Sequence, residues 1–316
     1  MKKYYRMLSG VTLGMLLLLL VSEHMDTIRS GIQTSGSSEK AAEKILVFCS
    51  AKDKGMVFQN FYQGLEDGNE NLHGNIDISI YERRSSETMS QEEYELRIAQ
   101  AIQPDYMLIT SRDTSLLNAG IPYFLYDGDM EDSERLAYVG TENHQAGYLA
   151  GQEAASLIPE EEVHAAIIML LDNDVFQERA EGFQDAFSQS ERLHVEEIYN
   201  IKGDFSVCRN YIANLLENTE EDGAINLIFC EDSVVSAVVA EQICKNDDYQ
   251  NVKIIGMDLN DYTLPYLENG CIQAVIDQNY YQAGLDLMEL IIHKEKYTFP
   301  ITVYHDCQVI KAEDLI

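Results

Sequence analysis

The stretch IIGMDLNDYTLPYLENGCIQAVIDQNYYQAG, residues 254–284, decides the fold. An apolar run ends at Asp258. A helix candidate over 261–269 stops at Gly270, a residue suited to a left-handed helix cap. A second apolar strand over 271–276 leads to Gln278. The helix over 279–296 then sets Ala283, Leu287 and Ile291 on one face at four-residue spacing. Strand, helix, strand, helix with polar residues at the strand tips is the grammar of a parallel sheet covered by helices.

The same alternation extends in both directions. Upstream, KILVFCS, NIDISIY, YMLIT (106–110) and IPYFLYD (121–127) read as strands. Helix candidates lie at 58–72 and over SQEEYELRIAQAI, where Ser90 and Glu93 have capping-box spacing. A second set begins after RLAYVGT (135–141). Its strands are 164–170, 194–201, 225–230 and 252–258, with helices at 143–157, 176–188, 205–217 and 233–244. ITVYHDCQVI forms a last extended stretch. About ten strands in two sets predict an α/β chain of two doubly wound lobes.

In such sheets, ligands sit beyond the carboxyl ends of the strands. The polar residues there are Asp127, Asp232, Asp258 and Gln278. Carboxylates accept hydrogen bonds from paired hydroxyls, and an amide both donates and accepts, so a polyol is a fitting ligand. The competing role is helix capping or turn formation: Asp232 or Ser233 can cap the helix after 230, and Asp127 precedes Gly128.

Composition excludes several classes. The 316 residues carry 54 acids and 22 bases, a net charge of −32, which repels phosphate backbones and argues against nucleic-acid binding. GxSxG, GxxxxGK and HExxH are missing, and the seven histidines have no metal-ligand spacing, so neither catalysis, a metal nor a cofactor is expected. The six cysteines contain no C-x-x-C pair. They read as small buried hydrophobes, with a disulfide open to an exported chain.

Export is read from the front end. MKKYYR is basic, and Met7–Val21 is apolar. The run suits a signal peptide or, counted from Tyr4 to Met25, a membrane anchor; no A-x-A-like site or lipoprotein cysteine follows. Residues 1–25 are thus expected to be a signal peptide or anchor, and 26–43 a polar tether. Either way the remainder lies outside the cytoplasmic membrane or in the periplasm.

GIPYFLYDGDMEDSERLAYVGTENHQAGYLAGQ (120–152) and QERAEGFQDAF (177–187), with its R-x-x-G-F segment, resemble the sugar-type periplasmic binding proteins. That family includes ribose-binding protein and the sensor halves of lac-repressor-type regulators. The resemblance implies a type I fold, two Rossmann-like lobes joined by three crossovers near Asn143, Gln278 and Phe299. One lobe would be 44–141 plus 279–296, the other 142–278 plus 299–316. It also implies that Phe58, alone or with Phe61 or Tyr62, covers the ligand ring, and that Asp127, Asp258 and Gln278 are polar contacts. Asp232 falls where the family usually has asparagine. Gly128 and Gln177 fall where ribose-binding relatives have ligand-gripping arginines, which puts pentose binding in doubt and leaves another polyol, an amine-bearing ligand or a degenerate cleft open. Arg112, in the loop after YMLIT, is a candidate substitute. The implied partners are a small ligand and either a membrane permease or a sensor histidine kinase.

Overall fold

The computed structural model describes residues 41–49, 56–82, 89–110, 113–188, 191–216, 224–246, 249 and 251–315. The anchor or signal peptide, most of the tether and Arg112 lie outside the described residues, as does the side chain of Cys49.

Two six-stranded sheets are built from strands that read as apolar runs. The first holds β1 (Glu43–Cys49), β2 (Ile76–Glu82), β3 (Tyr106–Ile109), β4 (Tyr123–Tyr126), β5 (Ala137–Thr141) and β11 (Ile301–His305), in the order β11-β5-β4-β3-β1-β2. The second holds β6 (Val163–Met169), β7 (Leu193–Asn200), β8 (Leu227–Cys230), β9 (Lys253–Met257), β10 (Ala274–Asp277) and β12 (Gln308–Ile310), in the order β12-β10-β9-β8-β6-β7. Every pairing is parallel except β10 with β12. The five leading strands of each sheet share one winding order, which reverses beside β1 in one and beside β6 in the other. Such a reversal opens a crevice at the strand ends.

The helices are α1 (Met56–Asn71), α2 (Gln91–Ile102), α3 (Asn143–Leu157), α4 (Asp174–Asp185), α5 (Phe205–Leu216), α6 (Ser233–Cys244), α7 (Leu264–Glu268) and α8 (Tyr280–Ile292). They cover both faces of both sheets, so each sheet has two cores. Ile228 and Cys230 face α5 and α6, while Leu227 and Phe229 face α3 and α4. Ile45 and Val47 face α1 and α8, and Leu46 and Phe48 the α2 side. Ser90 Oγ caps α2 through the amide of Glu93 (3.1 Å).

Each sheet has one helix pair in backbone contact. A Cβ on Gly147 of α3 would meet the carbonyl oxygen of Arg179 on α4 at 1.9 Å, and one on Gly182 would meet that of His144 at 1.9 Å. Gly64 of α1 and Gly284 of α8 stand in the same relation to Tyr281 and Phe61.

The chain passes between the sheets three times: at Glu142 entering α3, at Gln278–Asn279 entering α8, and at Asp306–Cys307 between β11 and β12. The last differs from the crossover expected near Phe299, and 299–316 does not go wholly to the second lobe. Ile301 to His305 pair residue by residue with Ala137 to Thr141, and Phe299, Ile301 and Val303 pack in the first core. Only β12, antiparallel to β10, reaches the second sheet.

Two element starts shift by three residues. The helix expected over 261–269 begins at Leu264, because Asn260 and Thr263 close a turn before it. The strand expected over 271–276 begins at Ala274, because Cys271 and Ile272 turn back on Asn269 and Tyr266. Cys271 is joined to Cys244 by a disulfide, with Cα atoms 5.9 Å apart. Cys208 and Cys230 are buried free thiols and Cys307 is half-buried.

Candidate functional site: a carboxylate and arginine cluster at the strand ends

Strand alternation places the first residue of the site. Cys230, the last of β8, points toward α5 and α6, so Glu231 turns toward α4. Glu231 is fully buried, and neither of its carboxyl oxygens has a hydrogen-bond partner. Burial pushes its pKa well up, against the nearby Arg179 guanidinium.

Arg179 is buried on α4, on the helix face that also carries Phe176, Ala180 and Phe183. Its Nε donates to Asn143 Oδ1 (3.1 Å), Nη1 to the backbone oxygen of Glu231 (3.0 Å) and Nη2 to Gln278 Oε1 (2.9 Å). It therefore ties α3, α4, β8 and the β10–α8 junction to one point. Gln278 passes the contact on: its Nε2 donates to Asp258 Oδ1 at 2.7 Å. His305, at the end of β11, donates from Nε2 to the Gln278 carbonyl (2.7 Å), so both sheets hold this residue.

Asp258 follows β9 in a left-handed conformation, φ 61°, that turns its carboxyl out of the strand direction. Burial raises its pKa to about 7, with Asp277 and Asp232 adding and Arg179 and Gln278 opposing. Asp127 follows β4 with φ 65° and is exposed. Its Oδ1 accepts from the hydroxyl of Tyr280, the first residue of α8, at 2.7 Å. Burial holds that hydroxyl well above its ordinary pKa; Asp127 and Asp258 both add to the shift and Arg179 opposes it. Tyr280 thus stands in the field of acids from both sheets.

Of the residues expected from the sequence, the structure brings Asp258 and Gln278 into direct contact and links Asp127 to their surroundings through Tyr280. Asp232 takes the capping role: its Oδ1 accepts from the amides of Val234 (2.8 Å) and Val235 (3.0 Å), ahead of Ser233. Gln177 is exposed on α4 and donates to Asp172 (2.7 Å). Phe58 packs half-buried against the first core, its ring 6.4 Å from that of Phe61. Phe61 is buried and stacks on Tyr126 at 4.3 Å, while Tyr62 engages Glu66. Gly128 closes a turn onto Tyr126.

Sequence reasoning assigned no site role to Glu231, Arg179 or Tyr280, although Arg179 is the arginine of the R-x-x-G-F segment. The sequence signal for Arg179 is its spacing, three residues after Phe176 and four before Phe183, which sets an arginine on an apolar stripe. The signal for Glu231 is its place directly after the buried run LIFC. Among the described residues no His, Cys, Asp and Glu group could hold a metal ion, and no helix is long and apolar enough to cross a membrane.

Residues 47–294 match the family model described as periplasmic binding protein domain. Solved structures share the fold. The chain is similar to GanP, a glucose-galactose binding protein from Geobacillus stearothermophilus, at 22% identity and TM-score 0.69, over 87% of this chain and 99% of that one. AraP, an arabinose binding protein from the same organism, gives 21% and 0.74, over 87% and 98%. A XylFII-LytSN complex gives 23% and 0.63, over 87% and 100%. No curated protein matches.

Proposed function

Since the chain belongs to the periplasmic binding protein domain family, we propose that it is an extracytoplasmic solute receptor that closes on a small sugar-like or polyol ligand. The observation that carries this reading is the relay from Arg179 through Gln278 to Asp258, with Tyr280 and Asp127 beside it, at the carboxyl ends of the strands. Buried, oriented acceptors and an amide discriminate among hydroxyl patterns, because a ligand lacking one hydroxyl leaves a buried partner unpaired. Sugar-binding among similar structures supports the ligand class. Closure is a hinge motion about the three crossings, and the ligand drives it by binding the closed form more tightly. No catalytic step is part of this reading.

A second reading concerns output. XylFII is in complex with LytSN, which supports a receptor that reports its ligand state to a membrane partner such as a sensor histidine kinase. In that reading residues 1–25 serve as a retained anchor. The first reading has the ligand delivered to a permease. Neighbouring genes for a permease and ATPase support delivery, and those for a kinase and response regulator support reporting.

A thermal-shift screen of the full chain in detergent against sugars and polyols tests the receptor itself. A ligand at 100 times its dissociation constant stabilises the fold by about 2.7 kcal/mol. Absence of any shift across the screen rejects ligand binding in favour of a cleft that acts through protein contacts alone.

A further inference from the structure

The three crossings are fastened to one another. Arg179 holds Asn143, beside the first, and the side chain of Gln278, at the second. His305 ends β11 directly before the third and bonds the backbone oxygen of Gln278 at 2.7 Å. A carbonyl only accepts, so Nε2 carries the hydrogen and the neutral ring has a bare Nδ1. His305 is buried, and Nδ1 has no hydrogen-bond partner. Burial lowers its pKa below the ordinary 6.5, against the Gln278 contact and three acids: Asp286 on α8, Asp306 beside it in the chain and Asp277 at the end of β10. These acids are engaged elsewhere or face water. Asp277 accepts from the amides of Leu259 (3.1 Å) and Asn279 (3.2 Å), Asp286 accepts from Gln282 (2.8 Å), and Asp306 is exposed. A second proton on the ring has to go on Nδ1, as a charged donor sealed from water without an acceptor. The ring escapes that cost only by leaving its place, and the tie to Gln278 goes with it.

Resting on the lobe closure proposed above, we infer that His305 is an acid-sensitive catch between the second and third crossings, holding Gln278 while neutral and releasing it when protonated. The joint about which the lobes turn is then stiff at neutral pH and freed by acid. A folded-state pKa below the unfolded 6.5 contributes stability that is complete above that value and is lost as pH falls from it toward the folded value. Asp258 and Asp277 respond to acid with the opposite sign, because burial raises their pKa values.

The test is amide hydrogen exchange on the full chain in detergent, without ligand, at pH 7.5 and 5.5, with labelling times scaled for the intrinsic rate. A proton taken up at pH 5.5 by a group of ordinary pKa about 6.5 raises an opening equilibrium by up to about tenfold. Peptides across the second crossing, residues 274–283, are expected to lose several-fold in protection on acidification. His305→Gln keeps a neutral donor and should hold the same protection at both pH values; thermal melts show whether it folds. Exchange of the ring C2 hydrogen, followed by mass spectrometry, reads the titration midpoint of His305 in the native chain and needs no variant. That midpoint is expected below about 6.5. Unchanged protection in the native chain, an equal acid loss in a folded His305→Gln, or a midpoint at or above about 6.5 overturns the inference. Each of these leaves the receptor reading standing, since that reading falls only with the ligand screen.

Discussion

Arg179 is the residue on which the site turns. Replacing it by alanine leaves Asn143, the Glu231 carbonyl and Gln278 without their donor, all at buried or half-buried positions. Stranding such acceptors costs roughly 3 kcal/mol or more, so Arg179→Ala is expected to shift the urea midpoint strongly downward. Asp258 gives a second prediction. Its folded-state pKa is raised from 3.8 to about 7. Between those values the folded chain holds a proton that the unfolded chain has released, so the group's contribution to stability falls as pH climbs through that window. Melting curves at pH 5.5 and 8 should show a larger loss for the native chain than for Asp258→Asn; equal losses reject the raised pKa. The sequence makes Asp258 and Gln278 visible because each ends an apolar run. It hides Arg179 and Glu231, because their importance arises from which neighbours burial leaves them. An arginine in a helix reads as solvated until the sheet is laid against it.

At the scale of elements, the alternation of strands and helices is legible along most of the chain, since the buried strands are short apolar runs and most have a helix pattern after them; β4 runs on to β5 with no helix between. ITVYHDCQVI is the exception. Its ten residues are continuous in pattern, and only pairing partners on two different sheets divide them into β11 and β12. The helix pairs make a sharp prediction. A methyl group on Gly182 cannot fit against the His144 carbonyl without parting α3 from α4. Gly182→Ala should therefore destabilise by about 2 kcal/mol or more, whereas a glycine in an open helix would gain from the same change. The Cys244–Cys271 bridge closes a loop of 27 residues between the end of α6 and the turn before β10. A loop of that length stabilises by about 3 kcal/mol through the unfolded chain. The Cys244→Ser, Cys271→Ser double variant should lose that amount in chemical denaturation.

The whole molecule carries −32 charges on 316 residues, and such a surface repels itself. Salt screens the repulsion over about 10 Å at roughly 0.1 M and further as it is added. The melting temperature should rise between dilute buffer and about 0.5 M sodium chloride. A flat response would mean that the acids are compensated locally.

The three passages of the chain between the sheets also govern how the molecule meets proteases. A cut in one connecting span leaves two others holding the halves, and each half is assembled from separate pieces of sequence. A once-nicked molecule should run as two bands after boiling in detergent yet elute as a single intact particle beforehand. Durability of that kind would serve any protein working outside the membrane, where peptide bonds are attacked and no chaperone powered by ATP waits to repair the damage.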